Sequence, residues 1–367
     1  LQAANQIRPD LVVVGPEDPL AAGVVDGLEK AGFHAFGPSA SAARLEADKV
    51  FAKEFMARHD IPTAAFTIFD DPQAAHRHLD QVEMPVVVKA FGLARGKGAF
   101  VCTSRKQAHR AVTESMEERA FGRAGDRVVI EDCLYGHEVT YKVFCDGDRF
   151  LPMPPARDYK PVGDGDKGPN TGGMGCFSPV PLLDESLEQA IATRVVRPTV
   201  QGLAEEGVPY KGVLYAGLMI THDGPFVLEF NCRFGDPEAQ VVLPRLQSDL
   251  VELLQACREG RLREMRASWS IEPAVCVVAA SGGYPDRYQT GKPISGLECA
   301  RRLALVFHAG TARANGTVVT NGGRVLGVTG RGPTFAAARE RAYAALQEIQ
   351  FEGMHFRRDI AADIGET

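Results

Sequence analysis

Residues 229–238 read EFNCRFGDPE and directly continue the apolar, aromatic run PFVLEF. That run is short and predicts a buried strand. Side chains alternate along a strand, so Glu229 and Asn231 share one face. A carboxylate and a carboxamide side by side offer hard oxygen ligands, the kind Mg²⁺ takes alongside phosphate oxygens and water. Arg233 joins that face if the strand runs so far, and Gly235, Asp236 and Pro237 then end it in a turn. The set suits a metal-held triphosphate and a developing negative charge. A solvated Asp-Pro turn at a strand end is the plainer alternative, and this stretch alone leaves both open.

Working outward, VLYAGLMI and PFVLEF flank a THDG turn and predict a hairpin that delivers this motif. Upstream, MPVVVKAFGLARGKGAFVC predicts strand, Gly-rich loop, strand. Walker and Rossmann loops open a helix instead, which separates this loop from both. Lys89 closes an apolar run, and Lys97 sits between Gly96 and Gly98. Glycines let backbone fold over phosphates, and the two lysines supply charge. The next block, RVVIEDCLYGHEVTYKVFCDG, predicts two strands joined by a short linker around Leu134. Such a linker can present its backbone to an adenine edge, with Glu131 accepting from an exocyclic amine and Glu138 from ribose hydroxyls. Exposed strand-end charge is the alternative for each acid. Residues 158–178, DYKPVGDGDKGPNTGGMGCFS, lack periodicity and predict an ordered binding loop.

The N-terminal run LVVVG predicts a buried parallel strand followed by GPEDPL, at the strand end where open α/β sheets bind ligands. Glu17 there either accepts from sugar hydroxyls or serves as a helix N-terminal acid. Helices are expected over residues 21–31 and 42–59, the latter ended by Pro62. His59, His76, His78 and His109 read as solvated. A further helix over 184–206 must accommodate Pro198. From about Trp269 the pattern changes to a smaller α+β section, with a helix from Phe335 capped by Thr334. Within it TNGGR, carrying Gly322, Gly323 and Arg324, is a turn that could hold a phosphate.

Composition narrows the function class. The 367 residues are 45% hydrophobic and 24% charged, as in ordinary globular domains, and the length suggests two or three of them. A net charge of −6 points to neither a nucleic-acid nor a membrane surface. The apolar runs fall short of the about 18 residues a membrane span needs. The N-terminus lacks the basic and apolar regions of a signal peptide. Eight cysteines without a CxxC pair favour buried thiols in a reducing cytoplasm over disulfides or zinc.

Taken in order, GPEDPL, KAFGLARGKG, DKGPNTGGMG, EFNCRFGDPE and TNGGRVLGVT resemble the phosphoribosylamine–glycine ligase family of the ATP-grasp superfamily. The resemblance spans essentially the whole chain. It implies an α/β and α+β multidomain protein: an ATP-grasp fold with a truncated N-terminal doubly wound α/β domain and a small C-terminal α+β domain. The expected bounds are 1–41, 42–266 (with a nucleotide-covering lobe at about 62–131) and 267–367. It further implies ATP, Mg²⁺ or Mn²⁺, glycine and 5-phosphoribosylamine as ligands, no nucleic acid, a monomer, and a place in purine synthesis. By matching motifs, Glu229 and Asn231 would be metal ligands. Lys89, Gly96, Lys97, Gly98, Glu131, Asp132, Leu134 and Glu138 would line the nucleotide site. Glu17, Asp158, Lys160, Asn170, Thr171, Gly172, Gly173, Arg233, Asp236, Gly322, Gly323 and Arg324 would face the other substrates, with Arg233, Lys97 and Asp236 closest to the chemistry.

The family opens with a GxGGREH segment that precedes the first residue of this sequence, so part of the phosphoribosylamine pocket is expected to be missing. Phe91 and Arg95 depart from the usual KADGLAAGKG loop, and DYKP from the usual DHKR. Two alternatives stay open: another ATP-grasp carboxylate–amine ligase, and a non-catalytic ATP-binding remnant.

Overall fold

A computed structural model describes residues 1–93 and 98–364. The chain divides into two compact units. One comprises Leu1–Met153, Leu183–Phe234 and Asp249–Arg266; the other comprises Pro154–Leu182, Gly235–Ser248 and Ala267–Thr367. Gly96 and Lys97 of the expected phosphate loop lie outside the described residues.

In the first unit, Val12–Val13 pairs in parallel with Ala35–Phe36. Val86–Ala90 pairs antiparallel with Ala99–Cys102 and with Val128–Asp132, which in turn pairs with Phe66–Phe69. The two strands expected on either side of the Gly-rich stretch are therefore observed, paired antiparallel. Leu79, Val86, Val88, Ala108, Val112 and Val128 form the apolar core on which this sheet closes. A second sheet places Lys211–Thr221 between His137–Asp146 and Gly224–Asn231. The last two strands of that sheet are the predicted hairpin. It carries one irregularity: Gly217 faces Glu229 while Leu218 faces Val227, so Leu228 bulges out of register. A bulge re-aims the residues beyond it, here the pair Glu229 and Asn231.

The second unit is built on a five-stranded antiparallel sheet in the order Leu305–His308, Arg324–Arg331, Ala274–Ala280, Gly175–Ser178, Arg157–Asp158. The helix Phe335–Glu348 packs on it and begins at Thr334, whose hydroxyl accepts from the N–H of Ala337 as expected. The long Gly-rich segment is ordered around a small hairpin, Pro161–Gly163 with Lys167–Asn170.

Several local expectations are corrected. The helix over 21–31 is two, Glu17–Ala21 and Val24–Lys30, separated at Gly23 in the left-handed region. The helix over 42–59 is also two, Ala40–Ala47 and Lys49–Arg58. Asp48 between them is extended and caps the second through Phe51 N–H, which an amphipathic pattern cannot reveal. The strand bearing the motif ends at Asn231, so Arg233 lies beyond it. The histidines have partners: His59 Nε2 lies 2.9 Å from Glu206, and the Nδ1 atoms of His76 and His109 lie 2.7 Å apart. Pro198 is accommodated by a π-helical turn, Ala192–Val196, just before it. All eight cysteines are free, six of them buried and Cys299 exposed. Among the described residues no helix is long and apolar enough to cross a membrane.

Candidate active-site clusters

Each unit holds one cluster of the residues singled out above. In the first unit the centre is Glu131, on the strand Val128–Asp132 and only 3% exposed. One of its oxygens accepts from Lys89 Nζ at 3.0 Å and pairs with Lys53 Nζ at 2.9 Å. The other, Oε1, is buried and accepts no hydrogen bond from any described residue. Lys89 also donates to the carbonyl of Leu228 at 2.9 Å, the residue that bulges out of its strand. The bulge thus ties the lysine to the strand that presents Glu229 and Asn231. Burial lowers the Lys53 ammonium to about 8, opposed chiefly by the charge of Glu131.

Lys49 joins this group from the same helix as Lys53, four residues earlier and so on one face. It donates to the carbonyl of Gly92 at 3.1 Å. Burial lowers its ammonium, and the charge of Glu229 works most strongly against that fall. Asp132 and Glu138 are exposed, and Leu134 is half-buried in the linker between their strands. The Phe91 ring, where an acid was the family expectation, carries the Arg127 guanidinium 4.6 Å above it.

Beyond the strand end, Arg233 is held by its whole fork. Nε donates to Glu17 at 2.8 Å, Nη2 pairs with Glu46 at 2.9 Å, and Nη1 donates to the carbonyl of Phe234 at 3.1 Å. Glu46 also accepts from the N–H of Cys232 at 2.7 Å. Burial drives the Glu46 carboxyl up to about 7, with Arg233 and the Cys232 N–H pulling the other way. Glu46, Lys49 and Lys53 were missed in the sequence. They lie in ARLEADKVFAKEF, where charges every few residues read as a solvated helix face.

The second unit gathers backbone groups of two glycine turns. Thr171 anchors the loop: its N–H and its hydroxyl both reach the carbonyl of Lys160, at 2.8 and 2.7 Å. Gly173 donates to the Thr171 hydroxyl at 2.9 Å. Its φ of 109° and the contact a Cβ would make with Pro237 Cδ, at 2.5 Å, both require glycine. Arg324 Nη1 donates to the carbonyls of Gly172 and Asp236, both at 2.7 Å, and to the Asp236 carboxylate at 3.1 Å. Gln240 holds the same Asp236 oxygen at 3.1 Å. Nε and Nη2 of Arg324 meet no acceptor among the described residues, so one edge of the guanidinium fixes the loop and the other stays available. Asp158 pairs in register with Cys176, and Asn170 with Pro161. Ser281 N–H and hydroxyl hold the carbonyls of Gly323 and Gly322 at 2.7 and 2.8 Å.

The donor set fits Mg²⁺ better than a soft metal. Glu229 and Asn231 offer oxygen only, and both are half-buried on one strand. Among the described residues no group of three or more His, Cys, Asp or Glu could hold a metal by itself. A cation at Glu229 and Asn231 would therefore draw its remaining ligands from phosphates and water, which is the habit of Mg²⁺.

Comparison with known proteins agrees in each part of the chain. The family models for phosphoribosylglycinamide synthetase match as its N domain over residues 1–46, its ATP-grasp (A) domain over 47–239 and its C domain over 274–363. A phosphoribosylamine–glycine ligase of Caldanaerobacter subterraneus subsp. tengcongensis is 47% identical over 98% of this chain and 86% of its own length. The trifunctional purine biosynthetic protein adenosine-3 of Homo sapiens is 50% identical over 98% of this chain, which spans only 36% of that longer protein. Among solved structures, phosphoribosylamine–glycine ligase from Thermotoga maritima superposes with a TM-score of 0.81 at 37% identity, over 89% of this chain and 82% of that one. A biotin carboxylase from Campylobacter jejuni, at 15% identity and TM-score 0.74 over 97% of this chain and 78% of its own, shares the fold alone.

Proposed function

The chain belongs to the phosphoribosylglycinamide synthetase family, and on that premise we propose that it joins glycine to 5-phosphoribosylamine with cleavage of ATP to ADP and phosphate. The product is glycinamide ribonucleotide, in purine biosynthesis. A glycine carboxylate is a poor electrophile, so phosphoryl transfer from ATP first makes glycyl phosphate. The amine of phosphoribosylamine then attacks the acyl carbon, the C–N bond forms and phosphate leaves. No side-chain nucleophile is needed for either step.

The observation that carries this reading is the Lys53–Glu131–Lys89 node bonded to the bulge at Leu228. Through Lys89 it fastens buried cations to the strand that bears the oxygen pair Glu229 and Asn231. Lys89, Glu131, Asp132, Leu134 and Glu138, with Gly96, Lys97 and Gly98 of the loop, line the nucleotide site in this proposal. The lysines neutralise phosphate charge. Glu229 and Asn231 would hold Mg²⁺, or Mn²⁺ in its place. Bound there, the cation would offset charge on the transferring phosphoryl group. Arg233, fixed in advance by Glu17 and Glu46, presents a preorganised guanidinium to the tetrahedral oxyanion. Glu17, Asp158, Lys160, Asn170, Thr171, Gly172, Gly173, Asp236, Gly322, Gly323 and Arg324 engage glycine and phosphoribosylamine. The division into 1–41, 42–266 and 267–367, a cytoplasmic setting and a monomeric state complete the proposal; free buried thiols support the setting. ADP release measured with each substrate omitted in turn tests it: release requiring both glycine and phosphoribosylamine is expected, and release indifferent to either contradicts it.

A further inference from the structure

Tyr284 belongs to no motif recognised in the sequence, yet it touches both glycine turns of the second unit. Its hydroxyl accepts from the N–H of Gly172 at 3.1 Å. Its ring lies against Gly323, and any Cβ at 323 would collide with Cδ2 and Cε2 of that ring. The residue is held from behind. Ser281, three residues earlier, bonds the carbonyls of Gly322 and Gly323, and the Tyr288 ring meets the Tyr284 ring edge-on at 6.2 Å.

Gly172 is therefore gripped from two sides. Tyr284 takes its N–H, and Arg324 takes its carbonyl at 2.7 Å. Arg324 itself follows Gly323 in the chain, so the tyrosine fixes the turn that launches the arginine as well as the loop the arginine holds. The peptide group on each side of Gly172 is thus tied, 171–172 through its N–H and 172–173 through its carbonyl, and both lie in the loop that has to present its backbone to a substrate. The sequence separation is 112 residues between Tyr284 and Gly172.

We propose that Tyr284 is a positioning residue that locks the residue 170–173 loop to the residue 322–324 turn, and so sets affinity for glycine and phosphoribosylamine without serving the nucleotide. The proposal rests on the ligase reading above. It is distinct from the reading itself, because the same geometry could stiffen the unit and do nothing for substrates.

Tyr284→Phe keeps the ring against Gly323 and deletes only the hydroxyl acceptor. Wild-type steady-state kinetics with all three substrates come first; if ADP release ignores glycine and phosphoribosylamine, the ligase reading fails and the tyrosine is not at issue. With wild-type ligation established, Tyr284→Phe is expected to raise KM for at least one of these two substrates on the order of 5-fold, as one hydrogen bond predicts. KM for ATP, kcat and the melting temperature should stay at wild-type values. Tyr284→Ala, which also removes the ring, should raise the same KM further. Tyr284→Phe and Arg324→Lys should combine non-additively, since both loosen the peptide groups that flank Gly172. Unchanged KM values for both substrates in Tyr284→Phe, an equal rise in KM for ATP, or a lowered melting temperature with unchanged KM values would each overturn the proposal.

Discussion

The two clusters solve different problems with different materials. The first unit keeps full charges out of water: Lys53 and Glu131 side chains are each 3% exposed. The second unit keeps backbone groups in a fixed pose at the surface, where Arg324 is 22% and Asp236 51% exposed. Buried charges hold one another ionised, so removing one leaves its partner stranded. Backbone groups tied by neutral or surface contacts such as those of Tyr284 and Arg324 lose only alignment when one tie is cut. The Lys53–Glu131–Lys89 node of the first cluster should therefore respond to mutation in turnover and stability together, its half-buried strand-end residues in turnover alone, and the second cluster chiefly in substrate affinity.

The sharpest break comes at the strand end. Glu229→Ala should lower turnover on the order of 10³-fold or more, by analogy with loss of one strong electrostatic contact in a dry site. Circular dichroism and melting temperature should be unchanged. A wild-type rate would remove Glu229 from the metal assignment. Next, Glu131→Ala leaves Lys53 and Lys89 facing each other without their shared carboxylate. Urea unfolding should show a loss of roughly 3–5 kcal/mol; a loss below 1 kcal/mol would mean the node is not the buried, mutually dependent group described.

Glu46 sharpens the contrast through pH. Its carboxyl is raised from 4.5 to about 7 by burial. A raised folded value means the native state holds the proton more tightly than the unfolded chain. That stabilisation is fully present below pH 4.5 and is lost as pH rises through about 7, a fall of roughly 3 kcal/mol. Glu46→Gln should flatten this part of the stability profile. An identical fall in variant and wild type would show that Glu46 is not its source. In the second unit, Arg324→Lys keeps the charge and loses the fork that reaches Gly172 and Asp236 together. KM for glycine or phosphoribosylamine should rise roughly 10-fold, with ATP unaffected; a matching rise for ATP would erase the distinction between the clusters.

The same contrast explains what could be read from the chain. Lys89 was legible because a lysine closing VVV in a strand is anomalous, and the hairpin leading to Glu229 follows from alternation and a turn. The Gly-rich segment announced itself through composition. Lys53 and Glu46 were not legible, because amphipathic helices ordinarily carry lysine and glutamate outward and burial is decided by partners far away: Cys232 lies 186 residues from Glu46. The break at Asp48 was hidden for a related reason, since two short helices in register keep one continuous pattern. Arg233 could be put on that face only on the condition that the strand ran so far, and the chain leaves the ladder at Asn231. Tyr284 stands between Gly283 and Pro285 with no motif around it, and nothing local points to Gly172, 112 residues away.

The central claim is that the glycine carboxylate is activated by phosphorylation before the amine attacks. Glycine labelled with ¹⁸O in both carboxylate oxygens tests it directly, with mass spectrometry of the inorganic phosphate released during ligation. Acyl phosphate formation predicts one ¹⁸O per phosphate, because the bridging oxygen comes from glycine and departs with phosphorus. Phosphate free of label, formed together with glycinamide ribonucleotide, would contradict the account.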